Sequence, residues 1–226
     1  MTKNLSGKTL GFIHAAVFTA TLAKKYTDEI IPEVAVMHMG DDTIQRDNMK
    51  APIGTIPPHN FAKFTQYAKN LEDAGCDMIM LGCSTFNPAV EHARPMIGVP
   101  LLQIDRPMMD LAVQQGKKVG LLATLAMTVP SSERLLRKAA ADAGKEIDVK
   151  TVLSTAAFEA LMAGKPDQHN EILIQNVRDL AKEVDAIVMA QLSMSVLEPM
   201  LTDIPVPVYN SGRTGVTRAR EMLEAM

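Results

Sequence analysis

Tryptophan is absent from this chain, and six phenylalanines and three tyrosines are its whole complement of Phe and Tyr. So few flat rings leave little on which bases or sugars could stack. The lysines and arginines are scattered, the net charge is −3, and no basic stripe forms, so nucleic acid is not expected as a partner. Cysteine is as scarce. Cys76 and Cys83 stand alone in one short segment, at a spacing that fits neither a zinc knuckle nor a CxxC redox pair. Such low usage fits a reduced, cytoplasmic setting, in which a lone thiol stays available as nucleophile or base. No Gly-x-Gly-x-x-Gly follows an apolar run, no Walker loop occurs, and no Gly-x-Ser-x-Gly elbow exists. Nucleotide cofactors and serine-hydrolase chemistry therefore have no support. His38, His59, His92 and His169 have no companion at metal-ligand spacing, and no metal is expected. The apolar stretch from Leu10 to Ala23 is short for a membrane span and carries His14, Thr19 and Thr21. It reads as a strand running into a helix, and no membrane association is expected.

What the chain does have is a generous apolar share, 47% of its residues, and an internal echo. The run Gly7-Lys8-Thr9-Leu10-Gly11-Phe12-Ile13-His14 answers Gly116-Lys117-Lys118-Val119-Gly120-Leu121-Leu122-Ala123. Asp77–Cys83 answers Asp185–Gln191, and Gly98–Leu102 answers Asp203–Pro207, in the same order and at nearly one offset. A repeat close to half the chain points to two similar lobes rather than to a solenoid. The expected division is residues 1–105, joined by 212–226 packing back, and residues 106–211.

Each half alternates short apolar runs with helical stretches. Thr9–Ile13, Val34–His38, Met78–Leu81 and Leu101–Ile104 fit buried parallel strands, as do Lys118–Ala123, Val149–Leu153, Ala186–Met189 and Val206–Tyr209. Helices are expected over Asn60–Ala74, closed by Gly75, and from Pro130 to a stop at Gly144, with a third over Glu171–Glu183 and a last around Arg218–Ala225. The fold class is thus α/β: two pseudo-symmetric lobes, each a parallel sheet flanked by helices, with an active-site cleft between them. Ligands of such folds sit at the carboxyl ends of the strands.

The residues at those ends are polar. They are His14, Asp41-Asp42-Thr43 and Cys83-Ser84-Thr85 in the first half, then Thr124, Thr128, Gln191, Ser193 and Met194 in the second. The turn Gly82-Cys83-Ser84-Thr85 puts a thiol beside backbone N–H groups at a helix start, with Asn87 and Pro88 as cap and first turn. That environment favours anions, a thiolate included. Cys83 could equally be an inert buried thiol and His14 a core or capping histidine. Cys76, ahead of its strand, reads as packing, Asp41 and Asp42 as a loop cap, and the sixteen methionines as core filler.

Gly-Cys-Ser-Thr after one buried strand, Ala123-Thr124-x-x-x-Thr128 after another, and the half-chain repeat together resemble the aspartate/glutamate racemase superfamily. The resemblance runs through nearly the whole chain. It implies two lobes, no cofactor, and one cysteine on each side of a substrate's α-carbon. By position it makes Cys83 the first-lobe catalytic thiol and Ser84 and Thr85 carboxylate donors. Thr124 and Thr128 become second-lobe substrate contacts, and His14 takes the polar place after the first strand. Gln191 stands where the second cysteine belongs, and an amide is neither acid nor base near neutral pH. Arylmalonate decarboxylases, in the same superfamily, also work with one thiol.

The resulting expectation is a cofactor-independent isomerase, racemase- or epimerase-like, moving a proton at the carbon α to a carboxylate of a small acid or amino acid. Cys83 transfers the proton, and His14, Ser84, Thr85, Thr124, Thr128, Gln191 and Ser193 bind the substrate. Two alternatives stand beside it: a single-thiol decarboxylase of a malonate-like acid, and a non-catalytic carboxylate-binding protein. Beyond a small-molecule carboxylate, the partner compatible with this reading is another copy of the chain.

Overall fold

The computed structural model describes residues 3–226; residues 1 and 2, with which the expected first lobe begins, lie outside the described residues. The first sheet contains β1 (Thr9–His14), β2 (Ala35–Gly40), β3 (Met78–Leu81) and β4 (Leu101–Gln103), in the order β2-β1-β3-β4. The second contains β5 (Lys118–Ala123), β6 (Asp148–Leu153), β7 (Ala186–Met189) and β8 (Val208–Asn210), in the order β6-β5-β7-β8. Every strand pairing is parallel. Parallel neighbours require crossovers. Helical segments supply them: α1 (Thr19–Ile30), α2 (Asp42–Lys50), α3 (Pro58–Asp73) and α4 (Pro88–Ala93) in the first sheet, and α6 (Thr128–Asp142), α7 (Thr155–Met162), α8 (Pro166–Leu180) and a 3-10 segment over Leu192–Met200 in the second, while α5 (Arg106–Gln115) joins the two sheets and α9 (Ser211–Glu224) follows β8. The chain divides into two compact units, Met1–Ile104 with Gly212–Met226, and Asp105–Ser211. Among the described residues no helix is long and apolar enough to cross a membrane.

Burial explains these elements. β3 and β7 are buried at every position, as their unbroken apolar runs predict. In the first unit Phe64, Ala68 and Leu71 of α3 recur at helical spacing. They pack with Ile13, Ile79, Leu81 and Leu101 on one face of the sheet. Each fully buried leucine or phenylalanine stabilises the fold by about 1.5–3 kcal/mol. In the second unit α5 and α6 cover the face of Val119, Leu121, Ala186 and Val188. The opposite face of Leu122, Ile187 and Met189 packs against α7 and α8. α9 belongs with the first unit. Its Arg213 makes a two-pronged ion pair with Glu29 of α1, and its Arg220 donates to the carbonyl of Ile30.

Three local expectations are corrected. Pro130 is the third residue of α6 rather than its first; a first-turn N–H has no partner inside its helix, so proline fits there too. Asp41 caps a helix, not merely a loop: its carboxylate accepts from the Thr43 N–H at 2.9 Å and opens α2. Asn87 is helical itself, with φ −46° and ψ −39°, and its side chain makes no capping bond.

One clasp occurs in both units. Asp77, just ahead of β3, accepts from the Thr9 N–H at 2.7 Å and from the Lys8 ammonium at 2.9 Å, pinning the start of β1. Asp185, just ahead of β7, accepts from the N–H groups of Lys117 and Lys118, both at 2.8 Å, at the start of β5. Burial alone would raise the Asp77 pKa, but the bonds from Lys8 and Thr9 outweigh it and hold the carboxyl below its ordinary 3.8. Its contribution to stability is therefore complete above that ordinary value and is lost as pH falls through the folded one. Asp77→Ala should cost about 1–3 kcal/mol in urea unfolding at pH 7, and the deficit should shrink below about pH 4 as the wild type loses the same bonds.

Candidate active site

Both sheets end in the same way at their third strand. Gly82 follows β3 and Cys83 comes next, extended at φ −147° and ψ 113°, just before a 3-10 turn over Ser84–Phe86. Ala190 follows β7 and Gln191 comes next, extended at φ −145° and ψ 134°, just before a 3-10 segment over Leu192–Met200. Because the backbone stays extended, strand alternation continues two residues beyond each strand. Cys83 thus emerges on the face of Ile79 and Leu81, and Gln191 on the face of Ile187 and Met189. The Cys83 side chain is partly buried and packs against the core on that face. Ser84 is buried and Thr85 half-buried beside it. Cys76 is only 3% exposed at the other end of β3, where burial first and the Asp77 carboxylate second push its thiol pKa up. A raised pKa keeps that thiol protonated and unreactive.

His14 ends β1 on the opposite face from Cys83. Its neighbour Ile13 lies in the core that Cys83 touches, whereas the His14 ring stacks on Phe12 with centroids 4.6 Å apart. Gly82 permits this, since a Cβ there would come within 2.6 Å of the Phe12 ring. The histidine is 1% exposed and both ring nitrogens are engaged. Thr19 gives its only hydroxyl hydrogen to the Ala16 carbonyl, so it accepts from the Nδ1–H of His14 at 2.8 Å. With Nδ1 protonated and the ring neutral, Nε2 is an acceptor, and the Nδ1–H of His38 donates to it at 2.9 Å. Burial first and His38 second lower the His14 pKa from 6.5 to about 4. His14 therefore has no spare lone pair or proton near neutral pH. Sequence spacing gives His38 no role beyond structure or surface. Its partnership with His14 depends on the strand register, in which Phe12 lies opposite His38, and spacing alone does not reveal a register.

At the carboxyl edge of the second unit, Thr124 follows β5 and Gln191 follows the neighbouring β7. The Thr124 N–H donates to Gln191 Oε1 at 2.7 Å and its hydroxyl donates to the same oxygen at 2.9 Å. A backbone N–H can only donate, so these bonds settle which end of the amide is oxygen. Thr124, expected as a substrate contact, gives both its backbone and its hydroxyl hydrogen to Gln191 in this structure. Gln191 Nε2 makes no hydrogen bond among the described residues, and the side chain is half-buried. Thr128 is buried as the first residue of α6, and Ser193 is half-buried in the 3-10 segment after Gln191. Among the described residues no three His, Cys, Asp or Glu side chains are placed to hold a metal ion.

Comparison with known proteins bears on the family and, separately, on the fold. The model of the Asp/Glu/Hydantoin racemase family matches residues 18–219. A glutamate racemase from Trichodesmium erythraeum (strain IMS101) is 24% identical over 136 residues. That match takes in 59% of this chain but only 48% of the relative, so it spans about half the relative's length. The aspartate racemase of Picrophilus torridus superposes with a TM-score of 0.71 at 19% identity, covering 97% of this chain and 95% of that one. The allantoin racemase of Klebsiella pneumoniae gives 0.69 at 15% identity, covering 97% and 88%. At such identities the structural likeness shows the fold alone.

The His14 geometry has a consequence in acid. The unfolded chain takes up a proton on this histidine near pH 6.5, whereas the folded protein resists until about pH 4. Unfolded chains then bind more protons, so stability should fall by up to about 1.4 kcal/mol per pH unit between those limits. Above pH 7 this group should contribute no slope. Urea unfolding of the wild type and His14→Gln across pH 4–8 measures it, and the variant should lack one proton's worth of slope.

Proposed function

The chain belongs to the Asp/Glu/Hydantoin racemase family, and on that footing we propose that it is a cofactor-independent isomerase of the racemase or epimerase type, acting at the carbon α to the carboxylate of a small acid or amino acid. The observation that carries the reading is Cys83, the thiol in the extended position after β3 at the carboxyl edge of its sheet. As thiolate, Cys83 takes the α-proton, and the electron pair of the broken C–H bond passes into an enolate-like carbanion. For inversion a solvent water protonates the other face of that carbon, and the Cys83 thiol gives its proton to the hydroxide left behind, which restores the thiolate. Ser84 and Thr85, beside the thiol, are assigned to the carboxylate together with Thr128 and Ser193. Hydrogen-bond donors aimed at the developing negative charge supply the large electrostatic share of such catalysis.

A second reading is favoured by Gln191. In decarboxylation of a malonate-like acid the bond to a carboxylate carbon breaks, CO2 leaves, and the electron pair stays on the α-carbon. Cys83 then delivers one proton from one side, and solvent reprotonates the thiolate. No second proton carrier is needed, and Gln191 is unable to be one. His14, with both ring nitrogens engaged, offers no substitute.

Incubation in D2O with amino acids, hydroxy acids and malonates, followed by NMR for α-deuteration, inversion and CO2 loss, separates the two readings. Inversion with deuterium at both faces is the isomerase outcome; CO2 loss giving one enantiomer is the decarboxylase outcome. In either case Cys83→Ser should lower turnover on the order of 10²–10⁴-fold, the span of a positioned acid–base group. Exchange that survives this substitution unchanged would sink the assignment of Cys83, and a wild type inert towards the whole panel would leave a carboxylate binder as the remaining reading.

A further inference from the structure

Gln191 is more than the absence of a thiol. Its Oε1 accepts two hydrogen bonds from Thr124, at 2.7 and 2.9 Å, which fix the amide plane and its direction. The Nε2 end must then point away from Thr124, carrying two N–H donors and no acceptor. That group sits in a half-buried side chain at the junction of β5 and β7, the two central strands of the second sheet. A group with only donors rejects an ammonium ion and welcomes an oxygen, most strongly a charged one.

We propose that Gln191 is a specificity-determining hydrogen-bond donor to a carboxylate or enolate oxygen of the ligand, and that Thr124 is the positioning residue that aims it. The inference rests on the function proposed above and deepens it. The ligand group meeting Gln191 is an oxygen acceptor and not an amino group, so the favoured substrates carry acidic oxygen there, as a dicarboxylate can. In a two-thiol arrangement the same place would hold a group that moves a proton. In this chain it holds one that binds charge without taking part in proton transfer.

Two substitutions separate the orienting bonds from the donors. Gln191→Glu keeps an oxygen to accept from Thr124 but turns the donor end into a second acceptor. Thr124→Val removes the hydroxyl while retaining the backbone bond, and Thr124→Ser restores the hydroxyl. Malonate, L-aspartate and D-aspartate serve as probes, titrated into 15N-labelled protein. At least one should saturably shift the Gln191 side-chain amide signals. Gln191→Glu should weaken its binding on the order of tenfold to a hundredfold, the usual weight of a hydrogen bond to a charged group. Thr124→Val should weaken it by a smaller factor and alter the Gln191 amide signals, and Thr124→Ser should restore both. In turnover the Gln191→Glu loss should fall on KM at least as heavily as on kcat. If no probe moves the Gln191 amide, or if Gln191→Glu binds as the wild type does, the inference is overturned. These outcomes are distinct from failure of the proposed function: absence of α-proton exchange and of CO2 loss overturns that reading even where the amide responds. An unresponsive amide beside Cys83-dependent exchange overturns only the donor role of Gln191 and the positioning role of Thr124.

Discussion

The period-two alternation of an extended chain, carried two residues past the end of its strand, is the constraint on which the candidate site depends. β3 and β7 are each four residues long and wholly buried, so their direction and register are held by the packing on both faces. Whatever follows them inherits that orientation. Cys83 and Gln191 stay extended before the chain turns, and so each projects on a set face of its sheet. A residue that departed from the extended region at either place would turn the side chain elsewhere, without any change in the identity of the group. The same alternation sends His14 to the other side of the first sheet, into contact with Phe12 and His38.

The two units use this shared frame to different chemical ends. After β3 stands a thiol, which can gain and lose a proton; after β7 stands an amide, which near neutral pH can do neither. Around each, neighbours suit the group. Thr124 turns the amide so that only donors remain outward, whereas the residue after His14 in the first unit, Ala15, has no side chain able to do the same for Cys83. The asymmetry therefore extends to the residue that aims the group, and not only to the group itself.

Much of the fold is legible in the chain because burial writes itself plainly into parallel strands. The apolar runs Met78–Leu81, Lys118–Ala123 and Ala186–Met189 coincide with the observed strand limits, since an uninterrupted run is what a strand covered on both faces requires. β2 is less legible: it is an edge strand with exposed positions, and the run Val34–His38 falls two residues short of Gly40. α2 escapes the sequence pattern because it is short and strongly polar and buries only Ile44 and Asn48, so few apolar residues mark it. Within the site, the polar strand ends can be collected from the sequence, but their partners cannot. That Thr124 uses its hydrogens on Gln191, and that His14 is locked between Thr19 and His38, follow from register and from counting hydrogens, which appear only once strands are side by side.

The membership of α9 in the first unit bears on how the protein comes into being. Asp105–Ser211 is one continuous stretch, whereas the unit that holds Cys83 is complete only when Gly212–Met226 has joined it. During synthesis from the amino terminus, the amide-bearing unit has all its residues before the thiol-bearing one does. Until α9 emerges, Glu29 lacks Arg213 and the carbonyl of Ile30 lacks Arg220, so the end of α1 waits for its partners through the making of the entire second unit. The unit that holds Cys83 thus gains α9 only after the whole of Asp105–Ser211 has been made, and a chain cut short before α9 would carry the thiol on an incomplete scaffold.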